Sequence, residues 1–379
     1  MNSKSNITVA GAGFAAITGV RELRKRLPAA DITLVAPKPE FIYLPSLIWV
    51  PYGMRNGDDL RFDIRPLLKK LDVSYVQSAV TGISADGRTL QTGAGDVSND
   101  ALLIATGGRY IRKLPGIENV ITICEGIEAA EKMGERLKAM NGGTIAMGFG
   151  GNPKEPSAMR GGPMFELLFG LETWLKQQGQ RDRFRLVFFT PAPQPGKRLG
   201  EKAVVKLLEE MKRRGIETHL GHKLRSFENH TVTTEGGEIP ADLILFMPGM
   251  TGPSWMQGTP LPVSNGGMIQ ADAFCQVTGM ERVYVAGDAG SFPGPEWMPK
   301  QAHMADLQAK AAAQNMALNL AGKAAEKQFK VELLCIIDSL DKGMLVYRGE
   351  RGGMALPAMK PLHWAKKYFE KTYLRHFRL

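Results

Sequence analysis

The six residues Gly11-Ala12-Gly13-Phe14-Ala15-Ala16 constrain this chain more than any other stretch. They follow a short β-type run, Asn6 to Ala10, and open a helical pattern from about Ala15 to Arg26. A second β-type run, Asp31 to Val35, comes within about 20 residues of the glycines. Strand, GxGxxA turn, helix, strand is the opening of a parallel βαβ unit. Gly11 permits the tight turn, and Gly13 lets backbone approach a pyrophosphate. Ala16 is small enough for the helix to lie close on the strand. The helix N-terminus then offers free N–H groups and positive dipole to phosphate.

Two later strands end the same way, Leu102 to Gly108 (LLIATGG) and Val283 to Ala289 (VYVAGDA). Small residues at the carboxyl ends of apolar strands suit a ligand at the edge of a parallel sheet. Between them lies a second α/β unit. Its strands are Gly143 to Gly148 and Phe184 to Thr190, and its helices run over Pro163 to Gln178 and Ala203 to Arg214. Gly150 to Pro163 is a Gly/Pro loop, and a long helix is predicted from Ala302 to Leu320. No solenoid repeat is present. The fold class is therefore α/β, with two Rossmann-like domains, the second inserted in the first, and a C-terminal amphipathic membrane-binding segment.

The exclusions are also useful. At 379 residues the chain has room for two or three domains. Its three cysteines form no CxxC, which removes a disulfide scaffold, a zinc ribbon and a thioredoxin motif. The six histidines have no metal-ligand spacing, so no metal is expected. No apolar run reaches a membrane span, and no signal peptide precedes the first strand, which predicts a mature start near Met1 and a cytoplasmic chain. The net charge is +10, and residues 360–379 carry half of it. Lys360, Lys366, Lys367, Lys371, Arg375 and Arg378 stand there against Glu370 alone. Leu362, Ala365, Phe369, Tyr373 and Phe377 recur at helical spacing in the same segment, with Trp364 and Tyr368 beside them. That is a basic amphipathic helix suited to an anionic membrane surface. Packing on the protein's own body is the alternative. No nucleic-acid motif accompanies the charge.

With these residues in hand, the chain resembles the two-dinucleotide-binding-domain flavoproteins, and within them the sulfide:quinone oxidoreductases. The resemblance runs over nearly the whole chain. It rests on the glycine series and on Phe41 to Val50 with Tyr52-Gly53, Ile121 to Cys124, and Gly162-Pro163-Met164-Phe165-Glu166. Pro299-Lys300, Leu334 to Asp338 and the tail His363-Trp364 to Lys371 complete it. It implies FAD held by Gly11, Gly13 and Ala16, with Ala105, Thr106 and Gly107 near the adenine half. Gly287 and Asp288 would face the ribityl and phosphate region, and Lys300 the isoalloxazine. Lys300 as a solvated loop lysine is the bland alternative. Strand two ends in Ala36-Pro37-Lys38 without the usual acid, so ribose recognition is assigned to Ala36 backbone and Lys38. The implied domains are 1–115 with 275–325 for FAD, 116–274 for the second Rossmann-like unit, and 326–379 for quinone and membrane.

The implied activity is electron transfer from sulfide or a related small sulfur substrate through FAD to quinone. It would take place on the cytoplasmic face of the cell membrane. Cys335 is the leading redox cysteine and Cys124 its partner, with Glu166 as proton relay or as a simple helix-dipole complement. Each cysteine could also be a small buried hydrophobe. The chain departs from the family at Met159-Arg160-Gly161, where a third cysteine is expected, and at Glu128 and Lys197, where histidines are expected. Arg160 could attract an anionic substrate or simply be a solvated loop residue. The segment Gly148 to Pro153 is no clean GxGxxG. A type II NADH:quinone dehydrogenase-like enzyme and a flavin-binding subunit or sensor are the alternative functions. Homo-oligomerisation stays open.

Overall fold

The structure, a computed structural model, describes residues 4–377. Met1 and Arg378, which figure in the start and tail readings above, lie outside the described residues. The chain begins as β1 (Asn6–Ala10), α1 (Phe14–Arg26) and β2 (Asp31–Ala36), followed by β3 (Val73–Gln77) and β4 (Ala101–Ile104). Helix α1 is rich in good helix formers and ends on Arg24, Lys25 and Arg26, which complement its dipole. It lies close on the sheet at Gly19, where a Cβ would come within 2.5 Å of Leu103.

A second sheet follows before the first is complete. Its elements are β5 (Gly143–Phe149), α2 (Gly162–Gln177), β6 (Phe184–Thr190), α3 (Glu201–Arg213), β7 (Glu217–Leu220) and β8 (Leu243–Met247). All its pairings are parallel, in the order β7-β6-β5-β8. The chain then returns as β9 (Val283–Val285), which pairs parallel with β4. The first sheet is thereby closed as β9-β4-β1-β2-β3. The expected insertion of one α/β unit in another is thus written in the strand order. Met256, Leu261, Ile269 and Ala271 share a core with Ile104 and Val283 of the first sheet. We therefore propose that the second unit ends near residue 252 rather than at 274, the point the sequence suggested.

Helix α4 (Ala302–Leu320) packs along α1. A three-stranded antiparallel sheet follows, β10 (Glu332–Asp338), β11 (Gly343–Gly349) and β12 (Gly352–Ala355). The tail forms α5 (Lys360–Leu374). Its orientation corrects the sequence reading. The expected outward stripe is split, with Phe369 exposed but Tyr373 and Phe377 packed on Phe41, and the face on the body also carries His363, Glu370 and Leu374. His363 meets Asp338 at 2.7 Å, and Arg55 grips Glu370 through two bonds of 2.8 and 3.0 Å. These buried polar groups are satisfied by distant partners, which apolar periodicity does not register. Phe377 completes the docking by stacking on Phe41, with ring centroids 4.4 Å apart. Trp364, Tyr368 and Phe369 are left outward, 65%, 63% and 55% exposed. No described helix is long and apolar enough to cross a membrane.

Candidate active site

The carboxyl ends of β1, β4 and β9 converge on one cavity of about 560 Å³. Gly13, Ala105, Gly107, Gly287 and Asp288 line it. The two glycines of the first turn do different jobs. A Cβ on Gly11 would sit 2.2 Å from the Ala105 carbonyl oxygen, and its φ is +120°. A Cβ on Gly13 would meet nothing within 4 Å, so backbone is open to the cavity there. Phe14 and Ala15 at the start of α1, and Ala302 and Ala305 of α4, also line it. Two helix N-termini therefore point positive dipole at one space. This cradle fits the diphosphate of a dinucleotide. Gly11, Ala16, Thr106, Ala36 and Lys38 are not on the cavity wall. Ala16 is fully buried behind the turn. Thr106 Oγ1 accepts the Trp255 indole N–H at 3.1 Å. The Ala36 carbonyl takes the Tyr75 hydroxyl at 2.8 Å, and Lys38 is exposed.

Two of the three cysteines reach the same cavity. Cys124 lies on the turn Ile123–Glu125 and Cys335 in mid-β10. Cys275 is fully buried elsewhere. Burial pushes the Cys335 thiol up to about 12, with the charge of Glu166 adding to the rise and Lys366 opposing it. Burial also raises the Cys124 thiol, opposed by the charge of Arg160. Glu166, in the second turn of α2, is ion-paired with Lys366 of α5. Burial lifts this carboxyl to about 7, against the pull of Lys366. Burial works against the Lys366 ammonium, but Glu166 and Asp338 outweigh it and hold its pKa above the usual lysine range. Glu166 is thus charge-coupled to both cysteines. A labelling experiment checks this coupling. Alkylation of Cys335 by iodoacetamide is expected to speed up in Glu166→Gln and slow down in Lys366→Met, and the reverse order would disprove it.

Asp338 holds this corner in place. It is fully buried and accepts the Trp49 indole N–H at 3.0 Å, the Leu340 N–H at 2.9 Å and His363 at 2.7 Å. His363 lies three residues before Lys366, so the same contact fixes the tail lysine against Glu166. This anchor escaped the sequence reading because its members are far apart in the chain. On another wall, Arg160 is ion-paired with Asp288. It is neither a solvated loop residue nor a free cation. Lys300 is buried, donates to the Gly290 carbonyl and lies 5.7 Å from the Phe292 ring. Burial lowers it to about 8. Glu128 is exposed and pairs with Arg61 at 2.9 Å, away from the cavity. Lys197 lines it.

In the second unit, the loop between β5 and α2 folds across the carboxyl ends of the strands. Asn152 is buried and donates to the carbonyls of Met250 and Gly266, each at 2.9 Å. Met250 N–H returns a bond to the Ala158 carbonyl at 2.8 Å. Glu155 accepts from Ser264 at 2.7 Å and Ser291 at 3.0 Å. A Cβ on Gly249 would lie 2.3 Å from Gly151. The loop is clamped down where an inserted dinucleotide domain would ordinarily hold its ligand.

Comparison with known proteins agrees with this architecture. The chain is 26% identical to a sulfide-quinone reductase of Aquifex aeolicus over 97% of its own length and 90% of the relative's. It is 23% identical to a type II NADH:quinone oxidoreductase of Staphylococcus aureus over 98% of this chain and 94% of that one. The solved structure of the Aquifex aeolicus sulfide:quinone oxidoreductase superposes with a TM-score of 0.90, at 23% identity, covering 99% of this chain and 91% of that chain. The solved putidaredoxin reductase–putidaredoxin complex matches at a TM-score of 0.71 and 19% identity, over 92% and 82%. The model of the pyridine nucleotide-disulphide oxidoreductases matches residues 5–309. By that match this chain belongs to the pyridine nucleotide-disulphide oxidoreductase family.

Proposed function

We propose that this chain is a membrane-peripheral oxidoreductase that takes an electron pair from a sulfur reductant and passes it through FAD to quinone. One observation carries the reading. Cys335 and Cys124 share a cavity with the Glu166–Lys366 pair, Lys300 and the open backbone of Gly13. FAD, when bound, supplies a two-electron relay between a donor and an acceptor that need not meet. The chain's own groups do the rest. Cys335 is the thiol placed to take sulfur from the reductant, and Cys124 is the second thiol within the cavity. Glu166 and Lys366 hold a proton beside them. Lys300 keeps a cation at the wall, where it favours added negative charge. In the balance, one sulfur loses two electrons and quinone gains two electrons and two protons.

The membrane reading rests on exposed groups. Leu334, Tyr347 and Met354 stand side by side across β10, β11 and β12 by register. Leu334 and Met354 are 38% and 49% exposed. Trp364, Tyr368 and Phe369 are exposed on α5, and Leu334 and Phe369 both line the cavity, which joins the two apolar groups at its mouth. Lys367 lies 5.2 Å from the Trp364 ring. An acceptor dissolved in lipid would reach the cavity from such a face.

An anaerobic spectral titration tests the donor. Sulfide is expected to bleach the oxidised flavin with two electrons per FAD, and NADH to leave it oxidised, because the 150–161 loop occupies the crevice. Reduction by NADH alone favours the NADH:quinone dehydrogenase reading. Reduction by neither favours a flavin-binding subunit or sensor.

A further inference from the structure

The cavity wall carries two neighbouring cations that nothing described above employs, Lys197 and Arg198. Arg198 lies on the short turn Lys197–Leu199, flanked by Gly196 at φ +81° and Gly200 at φ +103°. Its Nη2 donates to the carbonyls of Met298 at 2.6 Å and Glu296 at 3.2 Å. Its Nε is buried without a partner among the described residues. No carboxylate among the described residues pairs with it, and burial pulls its pKa down to about 10. Arg198 also lies near enough to Lys300 to add to the depression of that lysine. Buried Lys300, half-buried Arg198 and Arg160 make three cations against two nearby carboxylates, Glu155 and Asp288, and Asp288 is already bonded to Arg160, so this region is short of negative charge. An anion bound here would complete the charge balance.

The turn is held ready for a ligand. Arg348 donates to the carbonyls of Lys197 at 3.2 Å and Arg198 at 2.9 Å. The Arg348 guanidinium lies over the Trp297 ring at 4.8 Å. Lys197 is exposed, and Lys197, Arg198, Gln194 and Trp297 all line the cavity. This stretch of wall is therefore basic and open to water, whereas the stretch at Leu334 and Phe369 is apolar.

We propose that Arg198, with Lys197, forms an anion subsite through which the water-soluble substrate enters, and that this substrate carries a carboxylate, sulfonate or sulfur-oxyanion head. A planar guanidinium matches two or three such oxygens at once, whereas bare hydrosulfide has no oxygen for it to hold. The proposal deepens the reading of a sulfur reductant and rests on it for the substrate's reactive end, but the anion site itself does not.

Sulfate is a suitable non-reducing probe. Calorimetric titration of the FAD-loaded protein, at ionic strength held constant with chloride, is expected to show one sulfate site. Arg198→Met is expected to weaken it at least ten-fold and Lys197→Met about three-fold, with FAD content unchanged. Arg198→Lys is expected to fall between wild type and Arg198→Met, since it keeps charge and loses the fork. Absence of sulfate binding over chloride, or equal binding by wild type and Arg198→Met, overturns the subsite. Sulfate binding that depends on Arg198, in a protein whose flavin no sulfur compound reduces, supports the subsite and sinks the sulfur-oxidase reading instead.

Discussion

Replacing Cys335 with serine is expected to lower sulfide-dependent quinone reduction by about 10³-fold or more, with FAD content and fold retained. The substitution changes one atom. Cys335 lies in mid-β10, its backbone paired with Val346, and serine keeps that pairing. What serine cannot do is form a bond to sulfur and release it again. The thiol is held protonated at rest, since burial pushes it up to about 12. It needs a base on reaction, and Glu166, itself lifted to about 7 and charge-coupled to this thiol, is the candidate. A smaller loss is expected for Cys124→Ser, because an external thiol can replace a resolving cysteine. Steady-state rates with a quinone analogue check both. Retention of more than a tenth of the wild-type rate by Cys335→Ser would remove the cysteine mechanism.

The same cavity shows what the sequence disclosed and what it could not. Gly11 and Ala16 were legible because each answers a local steric demand that only small residues meet, and Gly13 from its place in the GxGxxA spacing. The long helix of Ala302–Leu320 was legible from composition alone. The depth of the cysteine pocket was not, because its polar members come from three separate segments, α2, β10 and α5. Glu166, Asp338, His363 and Lys366 meet only after β10 and α5 have packed. Arg198 was missed for a different reason. It looks like any basic residue in a Pro/Gly loop, and only the carbonyls of Glu296 and Met298 reveal that it is pinned to the cavity wall. The loop 150–161 was recognised as a loop, but its clamp through Asn152 and Glu155 depends on partners about 100 residues away.

The tail was legible as a helix and misread in its facing, and this changes the experiment that tests membrane docking. Removing residues 360–379 would strip His363 from buried Asp338 and Glu370 from Arg55. It would also uncover Phe41, so loss of binding could reflect loss of fold. The outward residues give a cleaner variant. Trp364 and Tyr368 are 65% and 63% exposed and do not line the cavity. Moving that much aromatic surface from water into an interface is worth roughly 1–2 kcal/mol each. Trp364→Ser with Tyr368→Ser is therefore expected to weaken partition onto vesicles about 10²-fold. Lys367→Glu with Lys371→Glu acts through charge, at about 1 kcal/mol per basic residue removed, and its effect should vanish in high salt. The aromatic variant should keep its loss in salt. Turnover with a short-chain, water-soluble quinone is expected to survive both, while turnover with a quinone confined to vesicles falls with partition. Undiminished vesicle binding by the aromatic variant would show that this face serves something other than lipid.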